Sequence, residues 1–312
     1  MIIASHLTKN YGDFRAVDDI SFRIESGEII GLLGLNGAGK TTLLRMLGCL
    51  LTPSGGRAHL DSLEVQADPL AVRGRIGYLP EVPPLYGEMR VEDFLLFVAR
   101  LRGVPRRKSI GQVKKVMGQC HVDDVASQRI ETLSFGYRKR VGIAQAIVHA
   151  PPILLLDEPI AGLDPAQIVE MRALIRHLAG EHTVLLSSHI LSEISQTCDR
   201  ILVLHRGRLA AQGSEEELVG RFIDKARLVL EVAGDRNALE LVLEGLGGEF
   251  EIHWLESMTE SLKLELHSEK DMRSLVAKAV VEAGLDLLGL QAAGGDLESV
   301  FLQLTGDEEG RS

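Results

Sequence analysis

Apolar residues along this chain switch between the spacing of strands and the spacing of helices. Segments 2–7 and 20–24 alternate apolar and polar residues around turn residues 10–12, which predicts a hairpin-like pair of strands at the start. Residues 28–33 form a short apolar run that ends in a glycine-rich loop. Leucines at helical spacing follow over 40–51, so this part is predicted to be strand, loop and helix.

The middle of the chain has a different pattern. A strand predicted at 75–79 is followed by amphipathic helices at 91–101 and 109–120, which predicts an all-helical insertion spanning about 82–150. The alternation then resumes with helix 138–150, strand 153–156, helix 166–178, strand 183–187, helix 191–197 and strand 200–204. Strands and helices in alternation predict an α/β fold with a mostly parallel sheet covered by helices.

The pattern changes again after Gly220. The predicted elements are strand 228–233, helix 236–246, strands 251–255 and 261–267, helix 271–283 and strand 285–290. The order βαββαβ predicts a small α+β domain of the ferredoxin-like kind, closed by a helix at 297–304 and a polar tail after Thr305. We therefore predict two domains, 1–220 and 221–312.

Composition narrows the possible classes of protein. The 312 residues are 45% apolar and 25% charged, an ordinary globular composition. The longest apolar stretches, 29–35 and 153–156, are far shorter than the roughly 18 residues that cross a bilayer, and the start lacks a secretion signal, so we expect a cytoplasmic location. The net charge of -10 argues against general nucleic-acid binding.

Cysteine and histidine spacing indicates neither a disulfide framework nor a zinc site. Cys49, Cys120 and Cys198 are far apart and form no CxxC pair, so we interpret them as small buried apolar residues. The ten histidines form no HExxH motif and no cluster along the sequence.

The glycine-rich loop is the first segment with a specific chemistry. Gly34-Leu-Asn-Gly-Ala-Gly39-Lys40-Thr41 fits GxxxxGK[ST] between a predicted strand and a predicted helix. Glycines let backbone N–H groups surround phosphates, and the helix N-terminus adds its positive dipole. We predict that Lys40 reaches the β and γ phosphates and that the Thr41 hydroxyl binds Mg²⁺.

Two carboxylates follow a buried strand, as a phosphate-cleaving enzyme with such a loop requires. Asp157 and Glu158 end the run that begins at Ile153. We predict that Asp157 holds Mg²⁺ through water and that Glu158 is the general base for the attacking water.

Further segments resemble the ABC superfamily of ATPases, in the order of that family. Leu133-Ser134-Phe135-Gly136-Tyr137 resembles the LSGGQ signature, and Ala161-Gly-Leu-Asp164-Pro165 is similar to the D-loop. His189 matches the switch histidine that contacts the γ-phosphate, and Tyr11 aligns with the aromatic residue that stacks on adenine. On their own, Ser134 is an ordinary helix N-cap and Tyr11 a turn residue.

Two positions depart from the family pattern. Glu81, after Ile76-Gly-Tyr-Leu-Pro80, stands where the lid glutamine is expected, and a carboxylate there reaches Mg²⁺ or the attacking water but adds negative charge. Phe135 and Tyr137 replace a glycine and the glutamine of the signature. Both variants resemble those of ATPases of drug, polysaccharide and gliding-motility exporters, and the segment Leu297-Glu-Ser-Val-Phe301-Leu-Gln-Leu-Thr305 resembles the closing helix of the same group.

The resemblance implies an ATPase subunit that dimerises, sandwiches two Mg-ATP and drives separate transmembrane permease subunits, in an export direction. It implies a homodimer or a heterodimer, no direct nucleic-acid contact, and a peripheral position at the inner face of the cell membrane. The implied catalytic residues are Glu158, His189 and Lys40, and the implied metal ligands are Thr41, Asp157 and Glu81. The implied nucleotide contacts are Tyr11, Gly34, Asn36, Gly37, Ala38, Gly39, Lys40, Thr41, Thr42, Glu81, Ser134, Gly136 and Asp164.

The helical insertion has two surface features. Its basic residues are interpreted as a solvated face that the family places near the membrane: Arg100, Arg102, Arg106, Arg107, Lys108, Lys114 and Lys115. The apolar segment 82–86 is predicted to form part of the groove that docks the permease.

Other functions explain fewer of these sequence features. A soluble ABC ATPase of translation or DNA repair predicts two cassettes or a long heptad insertion, and the sequence has neither. A small-molecule kinase leaves the signature, the D-loop and His189 unexplained. A third alternative is that the C-terminal domain makes the protein chiefly a regulatory binder. Whether that domain senses a ligand or helps the dimer to pair, it carries no motif that decides. The transported substrate is not encoded in a recognisable motif.

Overall fold

The computed structural model describes residues 1–222, 226–246, 250–255, 261–268, 272–292 and 297–306. The chain forms two compact units, Met1–Ser214 and Glu215–Ser312. The domain boundary predicted at Gly220 falls inside helix α8 (Glu215–Phe222), the first element of the second unit. Asp271, within a predicted helix, and the part of the predicted polar tail beyond Gly306 lie outside the described residues.

A six-stranded sheet forms the centre of the first unit. Its strands are β3 (Ile29–Leu33), β6 (Ile76–Leu79), β7 (Ile153–Leu156), β8 (Thr183–Ser188), β9 (Arg200–His205) and β10 (Arg208–Gly213). The order is β10-β9-β3-β8-β7-β6, and all pairs are parallel except the β9–β10 hairpin. Strands β3, β7 and β8 are buried along their whole length, which confirms the parallel sheet predicted from continuous apolar runs. Parallel strands end at one edge, so the loops after β3, β7 and β8 lie close together.

A second, antiparallel sheet begins the chain. Its order is β2-β1-β4-β5, with β1 (Ile2–Tyr11), β2 (Phe14–Ile24), β4 (Gly55–Leu60) and β5 (Leu63–Glu64). Strands β1 and β2 form the predicted hairpin, whose turn includes Gly12 at φ 58°. The apolar faces of this sheet join the core of the first unit.

Helices cover the first unit. They are α1 (Lys40–Leu47), α2 (Pro69–Gly74), α3 (Val91–Leu101), α4 (Arg106–Cys120), α5 (Phe135–Ile147), α6 (Pro165–Ala179) and α7 (Leu191–Ser195), with a short 3₁₀ turn at Ile130–Thr132. Helix α1 ends four residues before the predicted end, where Gly48 caps it and Cys49 takes φ 55°. Helix α5 begins three residues earlier than predicted because the Ser134 hydroxyl caps it.

The second unit has the predicted order βαββαβ. Its elements after α8 are β11 (Ala226–Ala233), α9 (Arg236–Glu244), β12 (Glu251–Leu255), β13 (Ser261–Ser268), α10 (Arg273–Glu282), β14 (Asp286–Ala292) and α11 (Leu297–Gly306). The strands are antiparallel in the order β12-β13-β11-β14. Buried residues of the strands and of α9 and α10 make one core: Leu228, Leu230, Val232, Leu239, Leu243, Leu264, Leu266, Val276 and Val280.

The three cysteine side chains differ in their burial. Cys120 is buried as expected, whereas Cys49 and Cys198 are only partly buried, and all three are free thiols. Burial raises the pKa of the Cys120 thiol above its ordinary range.

None of the helices in the described part of the chain is both long enough and apolar enough to cross a membrane.

Candidate functional site

The loop between β3 and α1 has the backbone that a phosphate-binding loop needs. Gly37 and Gly39 adopt φ of 83° and 103°, which L side chains rarely adopt, and Gly39 leads directly into α1. A Cβ atom at Gly34 would lie 2.6 Å from the carbonyl oxygen of Leu204. Glycine is therefore required at each of these three positions, and the loop ends at a helix N-terminus suited to anions.

Lys40 places a buried positive charge at this loop. Its side chain is 7% exposed, and Nζ donates hydrogen bonds to the carbonyl oxygens of Gly34 at 2.7 Å and Leu35 at 3.4 Å. The same Nζ lies 3.4 Å from Oε1 of Glu158. A buried ammonium needs such partners, and phosphate oxygens would satisfy it better than neutral carbonyls.

Asp157 ends β7 between two hydroxyl groups. The Thr41 hydroxyl donates to its Oδ1 at 3.1 Å, and the Ser187 hydroxyl donates to the same atom at 2.8 Å. Burial raises the pKa of Asp157, the two hydroxyl hydrogen bonds lower it, and the carboxylates of Glu158 and Glu81 raise it again. A site crowded with buried carboxylates and hydroxyl oxygens suits a hard divalent cation.

Glu158 is held between a serine and a histidine. Its Oε2 lies 3.0 Å from Nδ1 of His189, and its backbone N–H donates to Oγ of Ser187 at 2.9 Å. The residue adopts φ 48°, an uncommon conformation for a side-chain-bearing residue. The Ser187 contact fixes this backbone, so the carboxylate is aimed at the end of the loop.

Most of the predicted residues line one cavity of about 340 Å³. Those that line it are Tyr11, Asn36, Gly37, Ala38, Gly39, Lys40, Thr41, Thr42, Glu81, Glu158 and His189. Sequence reasoning did not assign four other lining residues: Phe14, Ala16, Leu35 and Ala161. Phe14 pairs with Tyr11 across the first hairpin, so two exposed aromatic rings stand at the mouth of the cavity.

Five predicted residues are not among those that line the cavity: Gly34, Asp157, Ser134, Gly136 and Asp164. The last three serve the packing and capping of helices. Ser134 accepts a hydrogen bond from the backbone N–H of Tyr137 at 3.4 Å, and Asp164 accepts one from Gln167 at 2.9 Å, so both act as helix caps. A Cβ atom at Gly136 would lie 2.7 Å from the side chain of Gln167. Within one chain these three residues are structural, and their assignment to a nucleotide stays a prediction that involves a second chain.

Lys139 is a site residue that the sequence prediction missed. It is 1% exposed, and Nζ donates to the backbone carbonyls of Glu81 at 2.7 Å and Glu158 at 2.9 Å. Burial lowers the pKa of Lys139, while the carboxylates of Glu81, Glu158 and Asp157 raise it. Its spacing of three from Gly136, a residue of the segment that resembles LSGGQ, was the available signal, since such residues share a helix face.

Lys139 therefore joins the lid position to the residue predicted to be the base. The ring of Phe135 lies 5.6 Å from its Nζ, and a Cβ atom at Gly162 would lie 3.1 Å from that same ring. The phenylalanine that departs from the LSGGQ pattern thus packs between the start of α5 and the loop that resembles the D-loop.

Residues 17–161 match the family described as ABC transporter. The chain is 33% identical over 308 residues to the bacitracin transport ATP-binding protein BcrA of Bacillus licheniformis, covering 98% of this chain and 97% of that protein. It is also 33% identical over 302 residues to the daunorubicin resistance ATP-binding protein DrrA3 of Streptomyces coeruleorubidus, covering 96% and 94% of the two chains.

A solved structure described as an ATP binding subunit of ABC transporter has a similar fold. It superposes with a TM-score of 0.65 at 28% sequence identity. The superposition covers 71% of this chain and 93% of that one. The likeness thus extends over most of the length of that structure.

Proposed function

The chain belongs to the ABC transporter family as an ATP-binding subunit that hydrolyses ATP, and from this premise we propose which of its residues bind and cleave the nucleotide. The observation that carries the proposal is the meeting of Lys40, Glu158 and His189 at one end of the cavity, beside the Thr41–Asp157 pair. These groups are the parts that phosphoryl transfer to water requires.

The nucleotide occupies the cavity with its phosphates on the loop. Backbone N–H groups of residues 34–39 and the start of α1 bind the phosphates, and Lys40 and Thr42 contact them. Tyr11 stacks on adenine at the mouth of the cavity, with Phe14 beside it. The positive charge of Lys40 then stabilises the charge that develops on the transferred phosphoryl group.

The donor set fits Mg²⁺, which takes hydroxyl and carboxylate oxygens together with substrate phosphates. Thr41 and Asp157 would hold the ion, and Glu81, which lines the same cavity, would be a third oxygen donor to the ion or to the attacking water. When bound, Mg²⁺ would neutralise charge on the phosphate oxygens.

Glu158 is the general base of this mechanism. When phosphates take Lys40, the contact between Nζ and Oε1 of Glu158 is released, and the carboxylate accepts the proton of the attacking water. His189 fixes the other carboxylate oxygen, Oε2, and orients it. Proton acceptance by Glu158 and its contact with His189 both depend on the position of the Glu158 backbone, which Ser187 and Lys139 hold by hydrogen bonds.

The complete site needs a second chain. Ser134 and Gly136 at the start of α5 contact the γ-phosphate held by the other subunit, and Asp164 connects the two sites. The pair is either a homodimer or a heterodimer of two ATPases. Closure of the pair moves separate permease subunits, so the subunit acts peripherally at the inner face of the membrane.

The names of the relatives indicate the class of cargo. One relative is named for bacitracin transport and another for daunorubicin resistance, which favours a drug-type exporter. Val82 and Tyr86 are exposed on the helical subdomain, about 82–150, and we assign them to the surface that docks the permease. The permease, and not this chain, selects the substrate.

The second unit is assigned to an accessory domain of the ferredoxin-like kind, within the proposed range 221–312. The strand order β12-β13-β11-β14 and the βαββαβ sequence of elements support this assignment. Its position after the ATPase domain suits either a dimer contact or a regulatory role.

The test compares the wild-type chain with Glu158→Gln. We expect Mg²⁺-dependent ATP turnover in the wild type, and in the variant a loss of about 100-fold or more together with an ATP-stabilised dimer in size-exclusion chromatography. Glu25→Gln is the matched control, because Glu25 is exposed and forms a surface ion pair with Arg23. Normal turnover by monomeric Glu158→Gln would overturn both the base assignment and the sandwich.

A further inference from the structure

Two strands at one edge of the second unit carry an unusual set of side chains. Strand β12 supplies Glu251 and His253, and strand β13 supplies Glu265 and His267. The antiparallel register places Glu251 opposite His267 and His253 opposite Glu265. Residues two apart on a strand share a face, so these four side chains form the corners of a square on the sheet. The two histidines lie on one diagonal of this square and the two glutamates on the other.

The square lies on the face of the sheet that is turned away from the core. The intervening residues Ile252, Trp254, Leu264 and Leu266 pack into the core of the second unit. The four polar side chains are therefore open to solvent to different extents, from 15% for His267 to 60% for Glu251. A dissolved ion reaches them without any change in the packing of the core.

Three of the four side chains converge. The ligand atoms offered by Glu251, His253 and His267 all lie within 4.8 Å of one another, and the two imidazole centroids are 4.7 Å apart. Tetrahedral zinc with bonds of about 2.0–2.1 Å places its ligand atoms about 3.4 Å apart. Rotation of the more exposed Glu251 and His253 side chains closes that difference of up to about 1.4 Å.

The fourth side chain adds a polar partner. Oε2 of Glu265 lies 3.4 Å from Nε2 of His267, and carboxylates beside a ligating histidine fix its ring and raise its basicity. The two carboxylates of the square also balance the charge of a dication. Imidazole nitrogen with carboxylate oxygen is a donor set for zinc and related transition metals rather than for Mg²⁺ or Ca²⁺.

We propose that Glu251, His253 and His267 bind one transition-metal dication of the zinc class, with Glu265 as the partner that orients His267. The bound ion links edge strand β12 to strand β13 from side chain to side chain. Because the ion would bind the paired strands and not the unfolded chain, it stabilises the second unit. The site is distinct from the ATPase cavity, and its existence does not depend on the proposed nucleotide chemistry.

The test is a zinc titration of the full chain without a polyhistidine tag and without nucleotide. We expect one Zn²⁺ per chain, bound in the presence of a large excess of Mg²⁺, when it is measured by competition with a chromophoric chelator. Co²⁺ in place of Zn²⁺ should give the visible absorption bands of a nitrogen- and oxygen-ligated ion at the same stoichiometry.

Variants separate this site from adventitious binding. Glu265→Gln should weaken Zn²⁺ binding about 10- to 100-fold, and His253→Asn should weaken it further because a ligand is removed. His6→Asn is the matched control, since His6 also pairs with a strand carboxylate, Asp19, at 2.7 Å, and is not part of the cluster.

Zinc binding that is absent, or that is unchanged in His253→Asn and in His267→Asn, would mean that these side chains form the ion pairs Glu251–His253 within β12 and Glu265–His267 within β13 and hold no metal ion. His253→Asn decides the matter if His267→Asn lowers the melting temperature without metal, because His253 is more than half exposed at the sheet edge.

Discussion

Replacing Lys139 by methionine tests whether the lid position and the base are held by one side chain. Methionine keeps most of the volume of the lysine but removes its ammonium group. The two backbone carbonyls that Lys139 binds, at Glu81 and Glu158, then lose their common donor inside the protein. The expected effects are a less stable first unit and slower ATP cleavage.

The size of the stability effect follows from the contacts. Hydrogen bonds from a charged donor contribute about 1.5–3 kcal/mol each, so the pair contributes about 3–6 kcal/mol. Burial of the ammonium opposes this gain, as the lowered pKa of Lys139 indicates. A net loss of about 2–4 kcal/mol in the free energy of unfolding is the expected result.

The catalytic effect should appear in kcat rather than in KM. Lys139 does not line the cavity, so the affinity for ATP should change little. A displaced Glu158 should lower kcat about 10- to 100-fold, because rates are sensitive to small misplacements of catalytic groups. Lys139→Gln, whose amide still donates, should recover part of the loss.

The assay combines steady-state ATP turnover with urea unfolding. Lys115→Met is the matched control, since Lys115 forms an exposed ion pair with Glu181 that is worth no more than about 1 kcal/mol. If Lys139→Met keeps the wild-type kcat and unfolds within about 0.5 kcal/mol of the wild type, Lys139 does not position the base.

Two further predictions concern pH and the support of the metal ligand. Burial, with a smaller contribution from Arg102, lowers the pKa of His149 to about 4, so below pH 6.5 the unfolded chain binds a proton that the folded chain does not. The folded chain should therefore lose about 2 kcal/mol between pH 7 and pH 5, and urea unfolding at both pH values should show His149→Gln losing less. Ser187→Ala leaves Asp157 and the N–H of Glu158 without their shared partner, so turnover should need more Mg²⁺ and stability should fall by about 1–3 kcal/mol. An unchanged Mg²⁺ dependence would contradict that role for Ser187.

Elements with a strong apolar pattern were predictable from the sequence. Strand β7 and helix α3 have the bounds that their apolar spacing predicts. Strand β4 was not predicted because it begins with two glycines, Gly55 and Gly56, and its pairing with β1 determines its conformation. Strand β10 was likewise not predicted, and it is paired only at the edge of the sheet, by β9.

Some residues of the candidate site were predictable from local sequence spacing, and others depend on contacts between distant parts of the chain. The loop and the carboxylates follow from local spacing, whereas the role of Lys139 depends on which carbonyls lie beneath α5, and these come from distant loops. The histidines show this most clearly. His253 and His267 form no motif along the chain, and only the register of β12 against β13 brings them within one cluster.

Helix α5 connects the predicted dimer contact to the predicted base. Ser134 caps its N-terminus and in the proposed dimer contacts the partner's nucleotide, and Lys139 lies five residues later, about 7.5 Å along the axis. Because a helix is rigid over this length, a tilt of the N-terminus of α5 also moves Lys139. Contact of the second subunit with the start of α5 would therefore reach the backbone of Glu158 through Lys139, which couples pairing of the two chains to the position of the base.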